Sequence, residues 1–236
     1  MTARRLGAIA SVAAGVVIVV TLGGCAPGIP AASQNSQAGQ TSQAAPAVAD
    51  PTVVTIGDSI MKGHGLPASQ AWPALMAEQN GWRLDNLACD GAGFLAVGDD
   101  SDCGETFAGL LAHAVALHPR TVIIEGSSND FGESNDDLLP ETRTQLAELR
   151  AAMPHAQIIG LSTLWGDTAA PAQLADVDQQ VRDAVTRVGG VFLTIGQPLS
   201  GHPEWMQHDD IHPTAAGQLA IYGAVQTAFD TAHIHA

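Results

Sequence analysis

From residue 51 onward, short runs of β-branched and apolar residues alternate with segments whose apolar side chains recur at helical spacing. Few folds accept that alternation. Each strand–helix unit brings the chain back parallel to itself, so the expected architecture is a three-layer α/β/α sandwich around a five-stranded parallel sheet. The expected strands are Val53 to Ile56, Trp82 to Ala88, Thr121 to Glu125, Ile158 to Leu161 and Val191 to Ile195. Thr121 to Glu125 is nearly all apolar, as a strand buried on both faces requires. Helices are expected over 70–79, with Trp72, Leu75 and Met76 on one face, and over 104–118, with Phe107, Leu110, Leu111, Ala114 and Leu117 inward. A third is marked by Leu139, Leu146 and Leu149. A fourth carries Leu174, Val177, Val181, Val185 and Val188 and stops at Gly189-Gly190. Thr214 caps a last helix that turns Leu219, Tyr222, Val225 and Phe229 inward.

Residues 1–50 follow a different pattern. Arg4 and Arg5 precede an uncharged apolar run from Leu6 to Leu22, which ends in Leu22-Gly23-Gly24-Cys25. These are the parts of an export signal, assigned to residues 1–24. The final four residues resemble the lipobox of bacterial lipoproteins, which implies acylation of Cys25. An uncleaved anchor and ordinary secretion compete with that reading; the 17-residue run is short against the roughly 20 residues of a membrane span. Residues 25–50 are almost wholly Ala, Ser, Gln, Gly and Pro and read as a flexible linker. One domain is therefore expected, over residues 51–236, displayed outside the cytoplasm as a monomer and touching the membrane only through its N-terminal lipid.

Charge and cysteine content narrow the function. The formal charge is −15, and loss of Arg4 and Arg5 with the signal leaves −17, with Lys62 the only lysine. Such a surface repels phosphate backbones, which excludes a nucleic-acid partner. In an exported chain whose Cys25 is acylated, Cys89 and Cys103 are expected to form a disulfide, closing a loop worth about 3 kcal/mol on the chain-entropy estimate.

In parallel sheets, ligands bind beyond the carboxyl ends of the strands. Strand one ends in Gly57-Asp58-Ser59-Ile60, strand two near Asn86-Leu87-Ala88-Cys89-Asp90-Gly91, and strand three in Gly126-Ser127-Ser128-Asn129-Asp130. Near the C-terminus stands His208-Asp209-Asp210-Ile211-His212-Pro213. Singly, each is an ordinary turn or helix cap. Together they supply a hydroxyl, a base, a carboxylate and oxyanion donors at one sheet edge.

In that order and spacing the four segments resemble blocks I, II, III and V of the SGNH (GDSL-type) hydrolases, over essentially all of residues 51–236. Gly63 to Met76 also resembles the thioesterase and lysophospholipase branch. The resemblance implies a flavodoxin-like fold and a serine esterase acting through an acyl-enzyme. Ser59 would be the nucleophile, His212 the base and Asp209 its orienting carboxylate. The N–H groups of Ser59 and Gly91 and the side-chain amide of Asn129 would form the oxyanion hole, with no metal or organic cofactor. Ser127 departs from the glycine common two residues before the block III asparagine. The expected rate falls in acid as the base protonates.

Asp210 competes with Asp209 for His212, and a zinc site built from His208, Asp209 or Asp210, and His212 is a rival arrangement. Two further functions fit the same scaffold: a non-catalytic surface binding domain and an acyltransferase to sugar hydroxyls. Trp165, Phe94 and Phe131 are candidates for a pocket lining. The substrate class left open covers short-chain esters, lysolipids and O-acetyl groups on glycans, with short acyl esters expected.

Overall fold

The computed structural model describes residues 53–236. The export signal over 1–24, Cys25 and the 25–50 linker, together with Pro51 and Thr52, lie outside the described residues.

Five strands form one sheet in the order β2-β1-β3-β4-β5, every pair parallel. They are β1 (Val53–Ile56), β2 (Leu84–Asn86), β3 (Thr121–Glu125), β4 (Gln157–Leu161) and β5 (Val191–Leu193). The helices are α1 (Ser59–Lys62), α2 (Trp72–Asn80), α3 (Phe107–Leu117), α4 (Asn135–Ala152), α5 (Gln173–Arg187) and α6 (Ala215–Ala232). None of the described helices is long and apolar enough to cross a membrane.

The two-residue period of the strands divides the core into two layers. Val54, Ile56, Val122, Ile124 and Ile158 pack with Phe107, Leu110, Leu146, Leu149, Val181 and Val185 of α3, α4 and α5. Val53, Ile123, Ile159 and Leu161 face the other way, onto Trp72, Met76, Ile221, Val225 and Phe229 of α2 and α6. Both faces of the sheet are thereby covered, as the run of apolar residues in β3 demands.

Several expected boundaries contract. The expected helix over 70–79 begins at Trp72, after a 3-10 turn at Ala68–Gln70, with Pro73 in its first turn. β5 stops at Leu193 because the N–H of Ile195 donates to Ser162 Oγ at 3.0 Å instead of extending the ladder. Beyond Asn86 the chain still runs beside β1, with Leu87 N–H donating to Thr55 O at 3.0 Å and Cys89 N–H to Gly57 O at 3.0 Å.

The inward face of α6 differs from the expected one. Leu219 is 57% exposed, and Tyr222 is only half-buried. The buried stripe of α6 is Gln218, Ile221, Val225 and Phe229. Gln218 takes the inward place because both ends of its amide are used: it accepts from Trp72 N–H and donates to Ile60 O, each at 2.8 Å. Thr214 caps α6 as expected, its hydroxyl accepting from Gly217 N–H.

The strand order reverses between β1 and β3. β2 lies on one side of β1, and the chain then crosses to place β3 on the other. The crevice beyond the carboxyl ends of such a pair is where a ligand finds room.

Candidate active site

Ser59 opens α1 directly after β1 and is 8% exposed. The turn that carries it is set by Asp58, whose Oδ1 caps α1 by accepting from Ile60 N–H at 2.9 Å. Asp58 Oδ2 accepts from Ser127 Oγ at 3.1 Å and from the N–H and hydroxyl of Ser128, both at 3.2 Å. One buried carboxylate thus ties the turn after β1 to the turn after β3. Burial pushes the Asp58 carboxyl upward against the pull of those bonds.

Beneath it, Glu125 at the end of β3 is 1% exposed. Its Oε1 accepts from Asp58 N–H at 3.3 Å, and its Oε2 has no partner. Burial, and then the neighbouring Asp58 charge, raise the Glu125 carboxyl well above the usual range. Both effects favour its protonated form.

The segment after β2 is shaped by Asp130. Its carboxylate, fully buried, accepts from the N–H groups of Phe94, Leu95 and Ala96 at 2.8, 2.9 and 3.0 Å. Gly93 is required there, since a Cβ would stand 2.4 Å from Asp130 Oδ1. Among the hydrogen bonds of the described residues, none is donated by the N–H of Ser59 or of Gly91. Two free backbone donors at a crevice can stabilise a developing oxyanion.

Asn129 follows β3 on a 3-10 turn, and its Nδ2 donates to Ala92 O at 3.2 Å and Ser127 Oγ at 3.3 Å. Ser127, standing where glycine is usual, is fully buried and donates to Ala92 O at 2.7 Å. Its hydroxyl also accepts from Asn129 N–H at 3.1 Å. The extra side chain is therefore absorbed as a brace between the second and third segments.

The remaining pair comes from the loop before α6. His212 Nδ1 lies 2.7 Å from Asp209 Oδ2, while Asp209 Oδ1 accepts from the N–H groups of Ile211 and His212, both at 3.0 Å. These contacts, the His212 backbone bond foremost, hold the Asp209 carboxyl well below the usual carboxylate range. Asp210 makes no bond to His212 and sits at φ +56°. Among the described residues no group of three or more His, Cys, Asp or Glu side chains is arranged to hold a metal ion.

Ser59 Oγ and His212 share no direct hydrogen bond. His64, a residue that the sequence motifs do not single out, touches both residues, but at the Ser59 backbone carbonyl and the His212 ring. His64 N–H donates to Ser59 O at 3.0 Å, and its ring stacks on that of His212 with centroids 4.1 Å apart. Hydrogen bonds between nucleophile and base are often long until substrate arrives.

The disulfide joins Cys89 to Cys103, with Cα atoms 6.1 Å apart. The loop it closes carries Gly91, and also Asp90 and Asp102, which both pair with Lys62. Although partial burial opposes it, the Lys62 ammonium lowers the Asp102 carboxyl.

Of the aromatic candidates, Phe94 is core: it is 1% exposed and edge-on to Phe107. Trp165 lines a cavity of about 130 Å³ with Ile60, Ser128, Thr168, Asp210 and Ile211. Phe131 is 47% exposed and packs edge-on against Trp165, with centroids 5.8 Å apart. Larger cavities lie on the loop before α6, where one of about 450 Å³ is lined by Met206, Gln207, His208, Asp209 and Thr214, and also along β5 and α6 and between α3 and α4.

The chain matches the GDSL-like Lipase/Acylhydrolase family over residues 55–220. It is 28% identical over 177 residues to the GDSL lipase Rv0518 of Mycobacterium tuberculosis, covering 70% of this chain and 75% of that one. It is also 28% identical over 179 residues to the thioesterase 1/protease 1/lysophospholipase L1 of Escherichia coli K12, covering 74% and 81%. The crystal structure of TesA superposes with a TM-score of 0.60 at 21% identity, over 76% of this chain and 98% of that one, a likeness of fold.

Proposed function

Since the chain belongs to the GDSL-like lipase/acylhydrolase family, and is thus a carboxylic ester hydrolase, we propose that it cleaves short-chain acyl esters with Ser59 as nucleophile. In this reading His212 takes the Ser59 proton as Oγ attacks the ester carbonyl. Asp209 fixes the tautomer and stabilises the imidazolium. The N–H groups of Ser59 and Gly91, with the Asn129 amide, receive the oxyanion, and loss of one such donor costs about 2.7–4 kcal/mol of transition-state stabilisation. As the tetrahedral adduct collapses, His212 returns the proton to the leaving alcohol and an acyl-Ser59 ester remains. Water, deprotonated by His212, then releases the carboxylic acid.

The observation that carries the reading is the Asp209–His212 pair at 2.7 Å, on a loop whose imidazole lies against the residue bonded to Ser59. The preference for short acyl chains is supported by the small cavity beside Ile60, Ser128 and Trp165, at about 130 Å³, against the ~300–1,000 Å³ of pockets that enclose larger ligands. Display outside the cytoplasm, through a signal over 1–24 and acylation of Cys25, is supported by the Leu22-Gly23-Gly24-Cys25 pattern.

A phosphonate probe should label Ser59, and turnover of p-nitrophenyl acetate should vanish in Ser59→Ala. An acyl series from acetate to decanoate should fall in kcat/KM beyond about four carbons, as a small cavity excludes longer chains. Undiminished turnover in Ser59→Ala would reject the mechanism. A rate rising towards decanoate would reject the short-chain preference alone.

A further inference from the structure

We infer that His64 is a positioning residue for His212, a role that rests on the reading of His212 as the base. His212 stands on the loop before α6. Asp209, its carboxylate, is 41% exposed at the side chain. Beyond that pair the loop is held by Gln207 N–H donating to His212 O at 2.7 Å and by the Met206–Pro213 bridge. A hydrogen bond at Nδ1 fixes one corner of an imidazole and leaves the ring free to swing about that corner. Proton transfer needs the plane as well as the corner.

The His64 ring supplies the plane. It lies 4.1 Å from the His212 ring and 25° from parallel. His64 is itself fixed from two directions, by its N–H to Ser59 O and by its Nδ1, 2.8 Å from Asp90 Oδ2. Asp90 is held in turn by Lys62 Nζ at 3.3 Å and by its own N–H, which donates to Asp102 Oδ2 at 2.9 Å. The ring that faces His212 is therefore anchored in the disulfide loop that bears Gly91.

A second tie closes the arrangement. Gln207 Nε2 donates to His64 O at 2.7 Å and to Pro213 O at 2.9 Å, bolting the segment after α1 to the His212 loop. The fit leaves no room at Gly65, whose φ is +75° and where a Cβ would stand 2.7 Å from Gln207 Oε1. The nucleophile turn, the oxyanion loop and the base loop thus meet at one residue, His64.

Steady-state kinetics of His64→Ala, His64→Gln and His64→Phe with p-nitrophenyl acetate test this, alongside Ser59→Ala and thermal midpoints for all. Ala and Gln remove the ring and should lower kcat by roughly 10- to 100-fold with KM within about twofold. Phe restores a flat ring without the Asp90 bond and should recover at least about a third of the wild-type kcat. If His64→Ala does not fold, the comparison of Gln with Phe decides. The role is overturned if Ala and Gln keep kcat within about twofold of wild type, or if Phe is as impaired as Gln at matching thermal midpoints. Turnover that survives in Ser59→Ala rejects the esterase mechanism itself; loss there with an indifferent His64 series rejects the positioning role only.

Discussion

The backbone N–H of Asp58 donates to Glu125 Oε1 at 3.3 Å, placing a buried carboxyl directly under the residue that caps the Ser59 turn. The second oxygen of Glu125 has no partner, and Asp58 beside it accepts four hydrogen bonds of its own. Burial, and then the neighbouring Asp58 charge, raise the Glu125 carboxyl well above its usual range, so Glu125 binds its proton more tightly than a free carboxyl does; burial raises Asp58 as well.

That proton makes stability depend on pH. The folded Glu125 holds its proton to higher pH than the unfolded chain, so its contribution is fully present below the unfolded carboxyl range and is lost as pH rises towards the folded value. Glu125→Gln keeps the shape and removes the titration. Its thermal midpoint should match wild type near pH 4 and exceed it by about 2–4 °C at pH 8. Parallel pH dependences for the two proteins would show that Glu125 does not carry the proton.

Opening the Cys89–Cys103 bond should cost about 3 kcal/mol of stability on the chain-entropy estimate. It should also lower kcat, because Gly91, Asp90 and Asp102 all lie in the closed loop. Melting and ester turnover with and without reductant check both effects. A reduced protein as active as the oxidised one would separate the loop from the chemistry.

Asp209→Asn should lower kcat by roughly 10²–10⁴-fold, since an amide no longer holds the His212 tautomer or balances the imidazolium. Asp210→Asn should change kcat by less than about tenfold, since Asp210 makes no bond to His212. Contacts from His212 and Ile211 hold the Asp209 carboxyl well below the usual carboxylate range, which favours its charged form. Paired kinetics of the two variants assign the carboxylate, and equal losses would undo the assignment.

Ser127→Ala should destabilise the fold by about 1–2 kcal/mol, removing the single hydroxyl proton that Ala92 O and Asp58 Oδ2 share. It should also lower kcat by about tenfold, because the Asn129 amide loses one of its two anchors. Denaturant melts with rates on the same preparations test this. An unchanged melt would make the buried hydroxyl dispensable.

The parts of the fold visible in the sequence are those decided locally. β1, β3 and α5 follow from β-branched runs and from a valine stripe stopped by two glycines, and they lie where that pattern puts them. Leu219 misleads because hydropathy ranks it above Gln218, whereas the inward position belongs to a side chain with two partners far away in sequence. The same holds in the site. The strand-end serine, the asparagine and the aspartate–histidine spacing are readable as short motifs. His64, Gln207 and Glu125 are not, since their meaning lies in contacts such as that of Gln207 with His64, 143 positions apart. The one local hint is that His64 stands between two glycines, Gly63 and Gly65, shortly after Ser59.

Helix α6 reaches back through Gln218 to the carbonyl of Ile60, so the turn bearing the hydroxyl is steadied by a residue 158 positions further along the chain. The same amide accepts from Trp72 N–H, so α2 is held by it as well. Gln218→Leu would therefore take a donor from the Ile60 carbonyl and an acceptor from Trp72 N–H in one substitution.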